Sequence, residues 1–163
     1  MSCCSDQWQG GTTVDKRAGT WLAALVHCGA PMPTKPIKPL PVVVLRHDEP
    51  GGHQHWDVLI ARSPNLDGAE LERSGLIGFR VPSPPNQALP GMVLPIIWTP
   101  DHDRSWLTRE GEVSGGRGFA WRVCSGDLHL VNAAVVQIDW HGGQQSQWRL
   151  GVQESKPALH IVA

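Results

Sequence analysis

From Val42 onward the chain is a succession of short β-like runs, each cut off by Gly, Pro, Asn or Asp. The runs are Val42 to Arg46, His55 to Ala61, Leu76 to Val81, Val93 to Trp98, Phe119 to Val123, Leu128 to Asn132, Val135 to Trp140 and Gln147 to Val152. With 18 Gly and 14 Pro among 163 residues, about a fifth of the chain, elements must be short and a helical bundle is excluded. The pattern predicts a mainly β fold, a compact antiparallel β-barrel of about eight strands with one or two short helices. Arg117 to Gly118 and Ser125 to Asp127 read as tight turns, and Pro82 to Pro90 as a longer loop carrying four prolines.

The length suits a single core. Residues 1–41 read as an N-terminal extension, closing on Pro31, Pro33, Pro36, Pro39 and Pro41, a stretch that can form neither helix nor central strand. Within it, Val14 to Cys28 is compatible with one short helix presenting Leu22, Leu25 and Val26. The β-domain is expected over 42–154, with 155–163 as a tail.

Charge excludes some partners. A formal net charge of −1 with 18% charged residues fits a soluble globular protein and not a polycationic nucleic-acid binder. The longest apolar runs, Trp21 to Val26 and Pro41 to Leu45, fall far short of the ~20 residues a bilayer span needs, so no membrane association is expected. The first positive charge is Lys16, so no secretory signal is evident and a cytoplasmic location is expected. Cys3, Cys4, Cys28 and Cys124 form neither a disulfide framework nor a CxxC zinc pair.

The segment Arg46-His47-Asp48-Glu49-Pro50-Gly51-Gly52-His53-Gln54-His55-Trp56-Asp57 carries the chemistry. On a strand, side chains alternate, so His53, His55 and Asp57 share one face while Trp56 and Val58 take the other. Imidazoles beside a carboxylate on one face suit a divalent metal such as Mn²⁺, Fe²⁺ or Zn²⁺. His47, at the end of the preceding strand, can reach the same place through the Gly-rich turn. A second cluster, Asp101-His102-Asp103-Arg104, precedes Glu110-Gly111.

In order and spacing these pieces resemble the 3′-phosphoesterase domain attached to bacterial ligase D of end-joining repair, also known as the DNA polymerase ligase N-terminal domain family, in its stand-alone, planctomycete-type form. Val43-Val44-Leu45-Arg46-His47 is similar to the family's strand ending in a metal-binding histidine, and His55-Trp56-Asp57 to its His-Tyr-Asp motif. Phe79-Arg80-Val81-Pro82 resembles the Trp-x-Val-Pro segment, and Asp101-His102 with Glu110-Gly111 resembles the Asp-His and Glu-Gly pair. Residues 112–118 resemble the Gly-rich turn, and Gln147-Trp148-Arg149-Leu150 the final Trp-containing strand.

The resemblance covers about two thirds of the chain, residues 42 to 152. It implies a divalent metal (Mn²⁺, or Zn²⁺ or Co²⁺) on His47, Asp57 and His102, with His55 facing the scissile phosphate as the catalytic imidazole. It further implies nucleic-acid 3′ ends as partners, possible association with a DNA ligase or polymerase, and hydrolysis of a terminal phosphodiester or phosphomonoester. Arg80, Arg104 and Arg117 are the candidate phosphate-binding guanidiniums, because guanidinium grips phosphate bidentately. Trp106 is placed near the site, where the family has tyrosine.

Some family positions differ. Leu59 and Leu94 stand where the family has arginines, Ser83-Pro84-Pro85 where it has a lysine, and Pro100 where it has a glutamate. These departures favour a second reading, a catalytically silent module that binds nucleic-acid ends or a protein. A third, a cupin-like metal oxygenase, rests on Gly51-Gly52-His53-Gln54-His55, but that fold's Glu is here Leu59.

Overall fold

A run that is apolar at every position, as Pro41 to Leu45 is, belongs to a strand buried on both faces. In the computed structural model, which describes residues 38–62, 75–132 and 134–163, that run forms the core of β1 (Leu40–Asp48). Val43 and Val44 point to opposite faces, and both are completely buried. Burying such a side chain stabilises the fold by about 1.5–3 kcal/mol, so two-sided burial roughly doubles what each pair of β1 residues contributes.

Nine further strands follow: β2 (Gln54–Ile60), β3 (Leu76–Val81), β4 (Val93–Pro95), β5 (Ile97–His102), β6 (Gly111–Glu112), β7 (Phe119–Leu130), β8 (Val136–Trp140), β9 (Gln145–Gln153) and β10 (Lys156–Ile161). They form one antiparallel sheet in the order β4-β10-β9-β8-β7-β1-β2-β3-β5, with β6 added to β7. The two ends of this path, β4 and β5, are separated in the chain by Ile96 alone. The sheet must therefore curl until its edges meet along one stretch of chain. The expected mainly β, antiparallel class is what the chain adopts; the barrel takes the form of a rolled ten-stranded sheet whose hydrogen-bonded ladder is not closed.

Rolling divides the core in two. Inside lie Val42, Val44, Val58, Phe79, Trp148 and Leu159 with their neighbours. On the outer face of β1, β2 and β3, Val43, Leu45, Leu59, Ala61 and Leu76 are covered by Trp106. Trp106 belongs to one of two short 3-10 helices among the described residues, Arg104–Leu107, whose N-cap Asp103 accepts a hydrogen bond from the Ser105 amide at 2.7 Å. The other is Pro85–Gln87, within the proline-rich loop.

Three sequence expectations change. Ser125 to Asp127 is not a turn: it continues β7, joining two expected strands into one of 12 residues. Gly126 was the misleading signal. It serves close approach instead, since a Cβ there would lie 2.6 Å from the Asp139 carbonyl oxygen. The expected strand Val93 to Trp98 is divided at Ile96, where the chain changes partner from β10 to β3. Residues 156–161, assigned to a tail, form β10 and bury Ala158, Leu159 and Ile161. The helix expected over Val14 to Cys28 lies outside the described residues.

Cys124 packs against the inner core, and burial pushes its thiol up to about 12. Because the thiolate is the reactive form, Cys124 should resist iodoacetamide at pH 8 in the folded protein and react on denaturation. Peptide mass mapping of alkylated protein checks this, and labelling of native Cys124 at the rate of a free thiol would contradict it.

Candidate functional site

Strand alternation carries the outer apolar row of β1 and β2 directly into a polar group. In the β1–β2 register Val43 faces Leu59, Leu45 faces Asp57 and His47 faces His55. The row begins as core and ends as His47, His55 and Asp57, which are 6%, 8% and 7% exposed. Among the described residues the only other buried polar side chain is Ser146. Buried imidazoles and an ionised carboxylate are costly unless each finds a partner.

The ligating atoms converge. His47 Nδ1 lies 3.1 Å from His55 Nε2 and 3.6 Å from Asp57 Oδ2, and His55 Nε2 lies 3.4 Å from the same oxygen. For metal–nitrogen bonds of about 2.0–2.1 Å in tetrahedral geometry, neighbouring ligands sit about 3.3 Å apart. The spacings are of that order, and His47, His55 and Asp57 form a group that could hold a metal ion.

The outer partners come from distant segments. His47 Nε2 is 2.8 Å from the carbonyl oxygen of Arg117, which can only accept, so this nitrogen carries a hydrogen and, in the neutral ring, the lone pair falls on Nδ1. That carbonyl is delivered by the turn between β6 and β7. Here Gly118, at φ +104°, lies so close to β1 that a Cβ would collide with the Asp48 carbonyl. Glu49 Oε1 lies 3.4 Å from His55 Nδ1. Arg80, opposite Asp57 in the β2–β3 register, places Nε 3.4 Å from Asp57 Oδ1 and Nη1 3.7 Å from Glu49 Oε1. Burial lowers the His55 pKa; Asp57 opposes the shift, while Arg80 and His47 add to it.

The other expected residues fall at varying distances. His102 ends β5 on the same outer face, its imidazole lying against Gly78, where a Cβ would be 2.8 Å from Nδ1. Its Nδ1 is buried without a hydrogen-bond partner, and burial lowers its pKa against the opposing charge of Asp57. It neighbours the cluster but is not one of the three converging residues. His53 precedes β2 in the turn, is exposed and is not one of the three converging residues. Trp106 is 8% exposed within the outer core, with the Arg109 guanidinium 3.9 Å above its ring.

Of the candidate arginines, only Arg80 brings its guanidinium to the cluster. Arg117 contributes its carbonyl, while its guanidinium bonds Ser114 through the carbonyl at 2.8 Å and the hydroxyl at 3.2 Å. Arg104 holds both terminal nitrogens buried and unpartnered in its 3-10 helix. Leu59 and Leu94, where the resemblance led to an expectation of arginines, are core residues. Sequence reasoning missed Glu49. The signal was available, since Glu49 lies in the same turn as the histidines, but its aim depends on how that turn closes.

Beside the cluster opens a cleft of about 710 Å³ lined by Asp48, Glu49, Glu112, Arg109, Phe119 and the glycines of the 113–118 turn. No family model matches the chain, and no curated protein matches it either. Among the described residues no helix is long and apolar enough to cross a membrane.

Calorimetric titration with Zn²⁺ or Mn²⁺ should show one site in the parent. It should be lost in His55→Ala and kept in His102→Ala; the reverse pattern would restore the ligand set implied by the resemblance. Gly118→Ala should lower stability by more than about 1 kcal/mol in denaturant unfolding, because Ala is strained at positive φ and meets backbone.

Proposed function

We propose that the domain is a divalent-metal-dependent phosphoesterase, acting on terminal phosphoesters at nucleic-acid 3′ ends. The observation carrying this reading is the convergence of His47 Nδ1, His55 Nε2 and Asp57 Oδ2 on one point. Two imidazoles and one carboxylate leave coordination positions open. Held by His47, His55 and Asp57, a divalent ion would supply Lewis-acid polarisation of a phosphoryl oxygen and acidify a bound water.

The chain's own residues supply the rest. Arg80 is the guanidinium beside the cluster, with its side chain 35% exposed, and suits a phosphate oxygen. His102, adjacent and held toward its neutral form by burial, is placed to hydrogen-bond the substrate or complete the ligand shell. The choice of 3′ ends comes from the sequence resemblance. A nearly neutral chain with few guanidiniums at the site suits recognition of a short end rather than a long duplex.

A specific observation favours the silent-module reading as the alternative. Leu59 and Leu94 are packed in the two cores, Arg117 is bonded to its own turn, and Arg80 already faces Asp57 and Glu49. Fewer free donors mean weaker electrostatic stabilisation of the transition state, usually the largest catalytic contribution. Against the cupin-like reading stand Leu59 at that fold's Glu position and an exposed His53 that is not one of the converging three.

Incubation of a labelled primer ending in a 3′-phosphate or a 3′-ribonucleotide with Mn²⁺ separates the readings. Product should form in the parent and fall in Asp57→Asn by at least the roughly 100-fold that loss of even an outer metal partner can cost. Metal-dependent binding of the primer without turnover supports the silent module. Equal product from Asp57→Asn would reject the metal mechanism.

A further inference from the structure

The two imidazoles of the cluster are chemically inequivalent. His47 meets the convergence point with Nδ1 and has its Nε2 hydrogen taken by the Arg117 carbonyl at 2.8 Å. His55 meets the same point with Nε2, 3.1 Å from His47 Nδ1 and 3.4 Å from Asp57 Oδ2. Its remaining nitrogen, Nδ1, faces Glu49 Oε1 at 3.4 Å.

Each histidine is therefore backed by an acceptor on its far side, a backbone carbonyl for His47 and a carboxylate for His55. A neutral imidazole has one N–H and one lone pair, so with the lone pair of His47 on Nδ1 the 3.1 Å hydrogen bond between the rings is donated by His55 Nε2; a cation at that point needs the His55 hydrogen on Nδ1 instead, where the Glu49 carboxylate stands ready to accept it. The turn that carries Glu49 is itself held: the Glu49 amide donates to the His53 carbonyl at 2.9 Å and the Gly52 amide to the Glu49 carbonyl at 3.1 Å. Gly51 and Gly52 permit this closure with φ of +98° and +85°. Arg80 Nη1, 3.7 Å from Glu49 Oε1, restrains the carboxylate from the other side.

We propose that Glu49 is a positioning residue that accepts the Nδ1 hydrogen of His55 and so presents the Nε2 lone pair to a divalent cation shared with His47 Nδ1 and Asp57 Oδ2. The cation site thus has mixed histidine linkage, Nδ1 from His47 and Nε2 from His55. This rests on the metal-binding part of the reading above. It goes further by assigning the tautomer of each ring and a role to a residue outside the converging three.

Long-range ¹H–¹⁵N correlation spectra of Zn²⁺-loaded, ¹⁵N-histidine-labelled protein report tautomers directly. His47 should appear as the Nε2–H form and His55 as the Nδ1–H form. Glu49→Ala should lower Zn²⁺ affinity by about 10–100-fold and disturb the His55 pattern while leaving that of His47. Glu49→Gln, whose amide oxygen still accepts, should restore both the affinity and the pattern. A merely structural role for Glu49 would not produce this selective His55 signature or its rescue. Zn²⁺-loaded parent with His55 in the Nε2–H form, or Glu49→Ala with unchanged affinity, overturns the role of Glu49 while leaving metal binding standing. A parent that binds no Zn²⁺ overturns both, and so distinguishes the two failures.

Discussion

The structure depends on the position of β1. It is hydrogen-bonded along both edges, to β2 and β7, and packed on both faces, by the inner core and by the outer cluster under Trp106. Its backbone polar groups are satisfied by the ladders, and its side chains are removed from water on either side, which leaves it little freedom to slide. A one-residue slip would exchange Val43, Leu45 and His47 for Val42, Val44 and Arg46 on the outer face. Because that slip would move the whole row, the packing of Val43 and Leu45 also fixes the aim of His47.

A buried polar cluster at the end of an apolar row is the costly part of this arrangement. The cost is offset locally: the Arg117 carbonyl accepts from His47, Glu49 faces His55, and Arg80 faces Asp57. These three partners arrive from different places, a turn after β6, the turn after β1, and β3. The rolled sheet makes this possible. By bringing β3 and then β5 beside β2, it places Arg80 in contact with the cluster and His102 near it. The same rolling buries Leu94 in the inner core and Leu59 in the outer one.

Much of this was legible locally, and the failures have identifiable causes. His55 and Asp57 share a face because strand side chains alternate, a rule needing only two residues of context. His53 obeys the same parity and yet is exposed, since β2 begins only at Gln54 and alternation holds only inside a strand. Gly126 suggested a turn by composition, whereas its missing side chain accommodates the β8 backbone. Arg117 was singled out for its guanidinium and contributes its carbonyl instead, a role open to any residue at that point of the turn.

By itself the sequence determined the β class, the strand that carries Val42 to Arg46, and the pairing of an imidazole with a carboxylate on one face of β2. These follow from periodicity and from uninterrupted apolar runs, which are short-range properties of the chain. Only the tertiary structure decided that His47 stands opposite His55, that Arg80 stands opposite Asp57, that Glu49 turns back toward His55, and that His102 remains outside the converging three. Cross-strand register and the docking of turns set those relations. Both arise from contacts between residues far apart in sequence, whose energies no local pattern contains.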